Sequence, residues 1–229
     1  MTDRLRLAWP DARAFAGRDG RPIRLLAASD EPDAALDSAG SRAGLEPLDL
    51  VLGAGDLEPS YLSFLADAFC VPLLYVRGNH DVGGGWEPDE RHLPEPLADG
   101  RVHEEDGLRL MGFSGSPRYA PHGRANVDQQ VSGLAMWRRA VRAWPAGAAG
   151  RPLLMLTHAA PRDCNDAPDP AHRGFAAFRW LLQRLSPPLW VHGHTALVRR
   201  GIDARTARCG TTLVVNVTGA TLIELVPSS

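Results

Sequence analysis

Short apolar runs recur along this chain, and each of five runs is ended by residues able to hold a metal or a proton. Ile23–Ala28 gives way to Ser29-Asp30, and Asp49–Gly53 to Gly55-Asp56. Pro72–Val76 ends in Gly78-Asn79-His80-Asp81. Pro152–Thr157 leads into His158, and Leu189–His192 into Gly193-His194. Short apolar runs bounded by Gly, Asp and Asn predict buried strands. Helical spacing is found over 33–44, Glu58–Phe69, Gln129–Trp144 and Gly174–Leu185. Strands and helices alternating at roughly 25-residue intervals predict βαβ units with a parallel core. The second half is richer in strand. Arg101–Glu104 and Leu108–Phe113 predict a hairpin around Asp106-Gly107, and Thr211–Val217 and Thr221–Val226 two strands joined at Gly219. The expected fold is α/β, two packed mixed β-sheets with flanking helices. It is expected to fill residues 1–229 as a single domain, with 1–21 an N-terminal extension before the first core strand.

In open α/β sheets, chemistry collects in the crevice at the carboxyl ends of the strands. Any one Asp or His there could be a turn former or a helix cap. All five clusters in order are hard to explain by turns alone. The carboxylates, amide oxygen and imidazoles offered by Asp30, Asp56, Asn79-His80-Asp81, His158 and His192/His194 form a mixed O/N donor set suited to Mn, Fe or Zn. Cys70, Cys164 and Cys209 are widely spaced and give neither a disulfide framework nor a CxxC site, so reduced thiols and a cytoplasmic location are expected. No apolar run reaches the length of a membrane span, and the N-terminus lacks the features of a secretory signal.

Composition narrows the chemistry further. All 25 basic residues are arginine. That excludes a Schiff-base lysine and a Walker-type phosphate lysine. Any bound anion must meet Arg, His, a metal or backbone N–H groups. The net charge of -2 weighs against long nucleic acid as a partner without excluding it. Oligomeric state is not readable.

Gly55-Asp56, Gly78-Asn79-His80-Asp81, Thr157-His158 and Gly193-His194, in that order, resemble the motifs of the calcineurin-like metallophosphoesterase family. Val215–Gly219 is similar to a late turn of the same family. The resemblance implies a four-layer α/β/β/α sandwich with two divalent metals at one edge. It implies Asp56 as the bridging ligand, Asn79, His158 and His194 on the second metal, and Asp30 on the first. It also implies His80 as the proton donor to the leaving group, with Asp81 beside it to orient the ring. The substrate would be a small phosphomonoester or phosphodiester, attacked by a metal-activated water.

Two departures fall on one metal. The family's Asp-x-His reads Asp30-Glu31-Pro32 here, and its Gly-His-x-His reads Gly193-His194-Thr195-Ala196. Three explanations stand: a single metal, a first site rebuilt with nearby oxygens such as Glu31 and Asp33, or a catalytically silent binding module like the retromer subunit of this family. His192 is either a stand-in ligand or a buried, hydrogen-bonded histidine. Arg118 and Arg173 are the arginines expected to bind the substrate, each weighed against an ordinary surface role. The segment 159–173 reads as a substrate lid or as a structural loop.

Overall fold

A computed structural model describes residues 2–82, 86, 92–119, 130–195 and 201–228. The first strand, β1 (Asp3–Trp9), precedes β2 (Ile23–Ser29), β3 (Leu50–Gly53) and β4 (Leu73–Tyr75). Helices α1 (Ala39–Ala43) and α2 (Pro59–Phe69) lie between them. Strands β5 (Val102–Glu105) and β6 (Leu108–Phe113) form the expected hairpin, with Asp106 and Gly107 both at positive φ, as a tight two-residue turn demands. Short strands β7 (Ser116–Pro117) and β8 (Gln130–Val131) pair with each other. Then come α3 (Gly133–Gly147), β9 (Leu154–Thr157), α4 (Ala176–Leu185), β10 (Leu189–His192), β11 (Thr206–Cys209), β12 (Thr212–Asn216) and β13 (Gly219–Pro227).

Two mixed sheets result, in the orders β1-β13-β2-β3-β4 and β11-β12-β10-β9-β6-β5. Alternation of side chains along the strands sorts the core into layers. Leu25, Ala27, Leu50 and Leu52 of the first sheet pack against Leu154, Leu156, Leu189, Val191 and Val215 of the second. The other face of the first sheet, through Leu26, Ala28, Val51 and Tyr75, meets Leu62, Leu65 and Phe69 of α2. The outer face of the second sheet, through Met111, Met155, Trp190 and Val214, meets Met136 and Ala140 of α3 and Phe178, Leu181 and Leu182 of α4. Strands covered on both faces explain why the runs read as continuously apolar rather than alternating. The α/β/β/α layering is the expected one.

Several local expectations change. Residues 3–9, expected to precede the core, form the edge strand β1, parallel to β13. Its alternation of Leu5, Leu7 and Trp9 with exposed Arg4 and Arg6 is the signature of a strand with one solvated face. The helix expected over 33–44 splits into a 3₁₀ turn at Ala34–Asp37 and α1, because Asp33 and Ser38 each cap their own short segment. The helix expected from Gln129 starts at Gly133, where Ser132 caps it, while Gln130 and Val131 pair as a strand. The last two strands lie in different sheets, so 216–219 carries the chain across the sandwich. Cys164 and Cys209, expected as separate thiols, are joined in a disulfide with Cα atoms 6.3 Å apart. The fold brings the 159–173 loop beside β11, which spacing alone does not reveal. Cys70 remains free and exposed.

Asp11 fastens the end opposite the strand-end clusters, accepting from Arg13 Nε at 2.9 Å and Arg151 Nε at 2.9 Å. Burial alone would raise its pKa, but these guanidiniums bring it from 3.8 down to about 2. The folded chain therefore binds fewer protons than the unfolded chain between those values. Its contribution is complete above about pH 4 and is lost as pH falls toward 2. Urea midpoints measured against pH should show this acid limb, and Asp11→Asn should flatten it. Leu156→Ala, in the fully buried inter-sheet layer, should cost about 2–5 kcal/mol in the same assay. Leu134→Ala, at a side chain 63% exposed, should stay within about 0.5 kcal/mol.

Candidate metal centre

Parallel pairing of β2 with β3, β3 with β4, and β9 with β10 points the five strand ends toward one edge. The chain turns sharply there. Asp30, Asp56 and His194 have φ of 61°, 55° and 63°, a left-handed conformation that costs non-glycine residues roughly 1–3 kcal/mol each and clusters at functional sites. Glycine is required beside two of these turns. A Cβ on Gly78 would overlap the Asp56 carboxylate, and one on Gly193 would overlap Ser29 Oγ and the Asp30 carboxylate.

The ligand atoms of Asp56, His158 and His194 all lie within 4.8 Å of one another. Asn79 joins them, its Oδ1 lying 3.0 Å from His158 Nε2. Asp56 Oδ2 is 3.2 Å from that same nitrogen. Backbone carbonyls fix the tautomers of both imidazoles. His158 Nδ1 donates to Ala54 O at 2.8 Å, and His194 Nε2 donates to Ala171 O at 2.7 Å. This turns His158 Nε2 and His194 Nδ1 toward the cluster, the arrangement that outer partners impose on metal-binding histidines, and a cation there would take the place of the His158 Nε2 proton. The four donors, an amide oxygen, a carboxylate and two imidazole nitrogens, are all acceptors and fit a divalent cation. The amide Nδ2 of Asn79 is buried with no hydrogen-bond partner, so the side chain is placed for its oxygen.

The electrostatics agree. Burial works to lower the pKa of His158, but the Asp56 carboxylate raises it to about 9. Burial would raise Asp56, yet His158 brings it down to about 2. This pocket draws positive charge onto His158 Nε2, whether proton or metal. His194, desolvated and beside His158, is pushed down to about 3 and stays neutral.

Asp30 is turned to another task. Its Oδ2 accepts from His194 N at 2.9 Å, Ser29 Oγ at 2.6 Å and Thr218 Oγ1 at 3.2 Å, while Oδ1 lies 3.2 Å from His194 N. It is not in the three-residue cluster found among the described residues. Asp81, expected beside His80, has backbone partners. Its Oδ2 accepts from Asp56 N at 2.8 Å and Gly78 N at 2.7 Å, so this carboxylate positions backbone. Burial raises its pKa to about 6. His80 donates its backbone N–H to Asp56 Oδ1 at 2.8 Å, and its side chain lines the cleft.

That cleft, about 580 Å³, is lined by Asp30, Glu31, Pro32, Asp56, His80, Trp86, Tyr119, Ala171, His172, His194 and Thr218, among others. Asp33 is instead occupied as a cap for Ala35 and as acceptor of Thr2 Oγ1. Arg118 is not among the described residues that line this cleft. It lines a separate, smaller one with Arg162 and Trp137. Arg173 is exposed and lines neither. His192 is buried and hydrogen-bonded through both nitrogens, donating to Gly193 O at 2.8 Å and accepting from Asn165 Nδ2 at 3.0 Å. A stand-in ligand role for it is therefore closed off. Ala196 lies outside the described residues.

Sequence reasoning missed His172. Its ring lies 5.3 Å from that of His194, and its Nδ1 is held by Asp169 at 2.8 Å. The Asp-x-x-His spacing of 169 and 172 was the available signal.

The family model for calcineurin-like phosphoesterases matches residues 33–197. The solved structure of TT1561 from Thermus thermophilus superposes with TM-score 0.57 at 14% identity, covering 86% of this chain and 90% of that one. A dimetal phosphatase from Danio rerio superposes with TM-score 0.50 at 11% identity, covering 87% and 88%. These likenesses show the shared fold. A search of curated proteins finds no match.

Asp81→Ala should leave the N–H groups of Asp56 and Gly78 without a partner, costing about 1–3 kcal/mol for each. Asp81→Asn, whose amide oxygen still accepts, should cost less. Urea unfolding of both variants checks this, and equal costs would contradict the backbone role.

Proposed function

Because this chain belongs to the calcineurin-like phosphoesterase family, we propose that it hydrolyses a small phosphate ester in the 580 Å³ cleft with a single divalent cation. One observation carries the reading. Asp56, His158 and His194 converge with Asn79, while the carboxylate of Asp30 is taken up by His194 N, Ser29 and Thr218. Asp56, Asn79, His158 and His194 would hold the cation. When bound, it supplies Lewis-acid polarisation of a phosphoryl oxygen and lowers the pKa of water. Mn, Fe and Zn all suit this donor set.

The chain's own residues do the rest. Ala54 O and Ala171 O keep the imidazole lone pairs aimed inward. Asp81 and Asp56 hold the loop carrying Gly78 and His80. The His80 side chain at the cleft wall is the group proposed to protonate the leaving oxygen. No arginine is among the described residues that line the cleft, so the substrate contacts expected of Arg118 and Arg173 are not carried forward. Imidazoles of His80 and His172 and the cation take that place. Loss of the first-site imidazole at Pro32 also supports a second reading, a catalytically silent module that binds a metabolite or protein partner.

Calorimetric titration of purified protein with Mn, followed by hydrolysis of p-nitrophenyl phosphate and its bis ester, separates the readings. One site per chain and turnover are expected. His158→Ala or Asn79→Ala should weaken binding by at least about 100-fold. His80→Ala should keep the metal and lose about 10²–10⁴ in rate. Metal binding without turnover would favour the silent module, and turnover surviving His158→Ala would refute the site.

A further inference from the structure

The large hydrophobic side chains exposed among the described residues are Leu134 at 63%, Val141 at 51% and Trp144 at 38%, and all lie on α3. With half-buried Trp137 they repeat at intervals of three, four and three residues, a heptad seam. The core-facing stripe of α3, Met136, Ala140, Ala143 and Gly147, is a different one. Trp137 and Trp144 lean on α4, while Leu134 and Val141 leave the outer edge of the seam exposed. Its floor is firm. The Trp180 ring of α4 lies 5.6 Å from Trp137 and 5.9 Å from Trp144, and the Arg184 guanidinium sits over both Trp144 and Trp180. Trp and Arg side chains are the usual energetic anchors of protein interfaces.

Charge identifies the occupant. α3 and α4 together carry Arg138, Arg139, Arg142, Arg179 and Arg184 and no acidic residue. Only Arg139 among these has a carboxylate partner in the described ion pairs, Asp99. At the amino ends of both helices the seam opens, through Trp137, into the 270 Å³ cleft with Arg118 and Arg162. Everything along this face calls for negative charge. A second copy would set arginine against arginine. A membrane would accept the charge but has no use for the heptad register.

We propose that the α3/α4 face docks an acidic amphipathic helix of a partner protein. Its apolar residues would pack between Leu134, Trp137, Val141 and Trp144, and its flanking carboxylates would meet Arg138, Arg142 and Arg184. This face is separate from the cleft at the metal centre.

The probe is a labelled synthetic helix with leucine at its a and d positions and glutamate on both flanks. Its twin carries lysine in place of glutamate. Fluorescence anisotropy should show the protein binding the acidic helix and not the basic twin, with affinity falling as salt rises. Val141→Glu and Arg138→Glu, both at exposed positions, should each weaken binding about tenfold or more, with the circular dichroism spectrum and ester hydrolysis unchanged. Equal binding of the twin, or variants that bind normally, would overturn the proposal. So would flotation with phosphatidylserine vesicles in the absence of peptide binding. A dimer in sedimentation that Val141→Glu dissociates would assign the face to a second copy instead.

Discussion

The hydrogen bond from His194 N to the Asp30 carboxylate joins the two sheets at their functional edge. Asp30 follows β2 of the first sheet and His194 follows β10 of the second. Both residues sit in left-handed backbone that a regular strand exit would not give. The bond holds that geometry, with Ser29 and Thr218 donating to the same carboxylate. Once Asp30 is committed in this way, its Oδ2 is occupied by three donors inside the protein, and its Oδ1 shares the N–H of His194. The loss of imidazole at Pro32 then follows the same logic, because a carboxylate serving the backbone has less to offer a metal.

What remains is a compact set of acceptors whose orientation is imposed from outside the set. Ala54 O lies at the end of β3 and Ala171 O lies in the 159–173 loop, and each fixes one imidazole. The loop is itself tied down by Cys164 to Cys209 and by Asn165, which donates to Arg205 O at 2.9 Å. The segment that reads as a lid or a structural loop is thus anchored at both its disulfide and Asn165, and it carries one support of the candidate metal centre. Its Ala171 and its His172, the latter held by Asp169, line the cleft.

Much of this was legible in the sequence, for definite reasons. Strands buried on both faces produce unbroken apolar runs, and parallel strands put their following residues at one edge. The five strand-end clusters could therefore be placed together from order alone, and the family resemblance singled out Asp56, Asn79, His158 and His194 among them. Asp106-Gly107 carried its turn chemistry openly. Other features lay beyond the sequence for a different cause. The backbone contacts of Asp30 and Asp81 depend on which N–H groups lie opposite, a property of the fold and not of spacing. The disulfide and the position of Arg118 depend on how loops cross after the sheets have stacked. β1 was missed because its charged residues masked a plain alternation of period two.

The central claim is that Asp30 has become a strut and the metal centre holds one ion. Crystals grown with Mn and measured at its absorption edge test this directly. The account predicts one anomalous peak, among Asp56, Asn79, His158 and His194, with Asp30 still accepting the N–H of His194. Two peaks, with the Asp30 carboxylate released from His194 and turned onto the second ion, would contradict it.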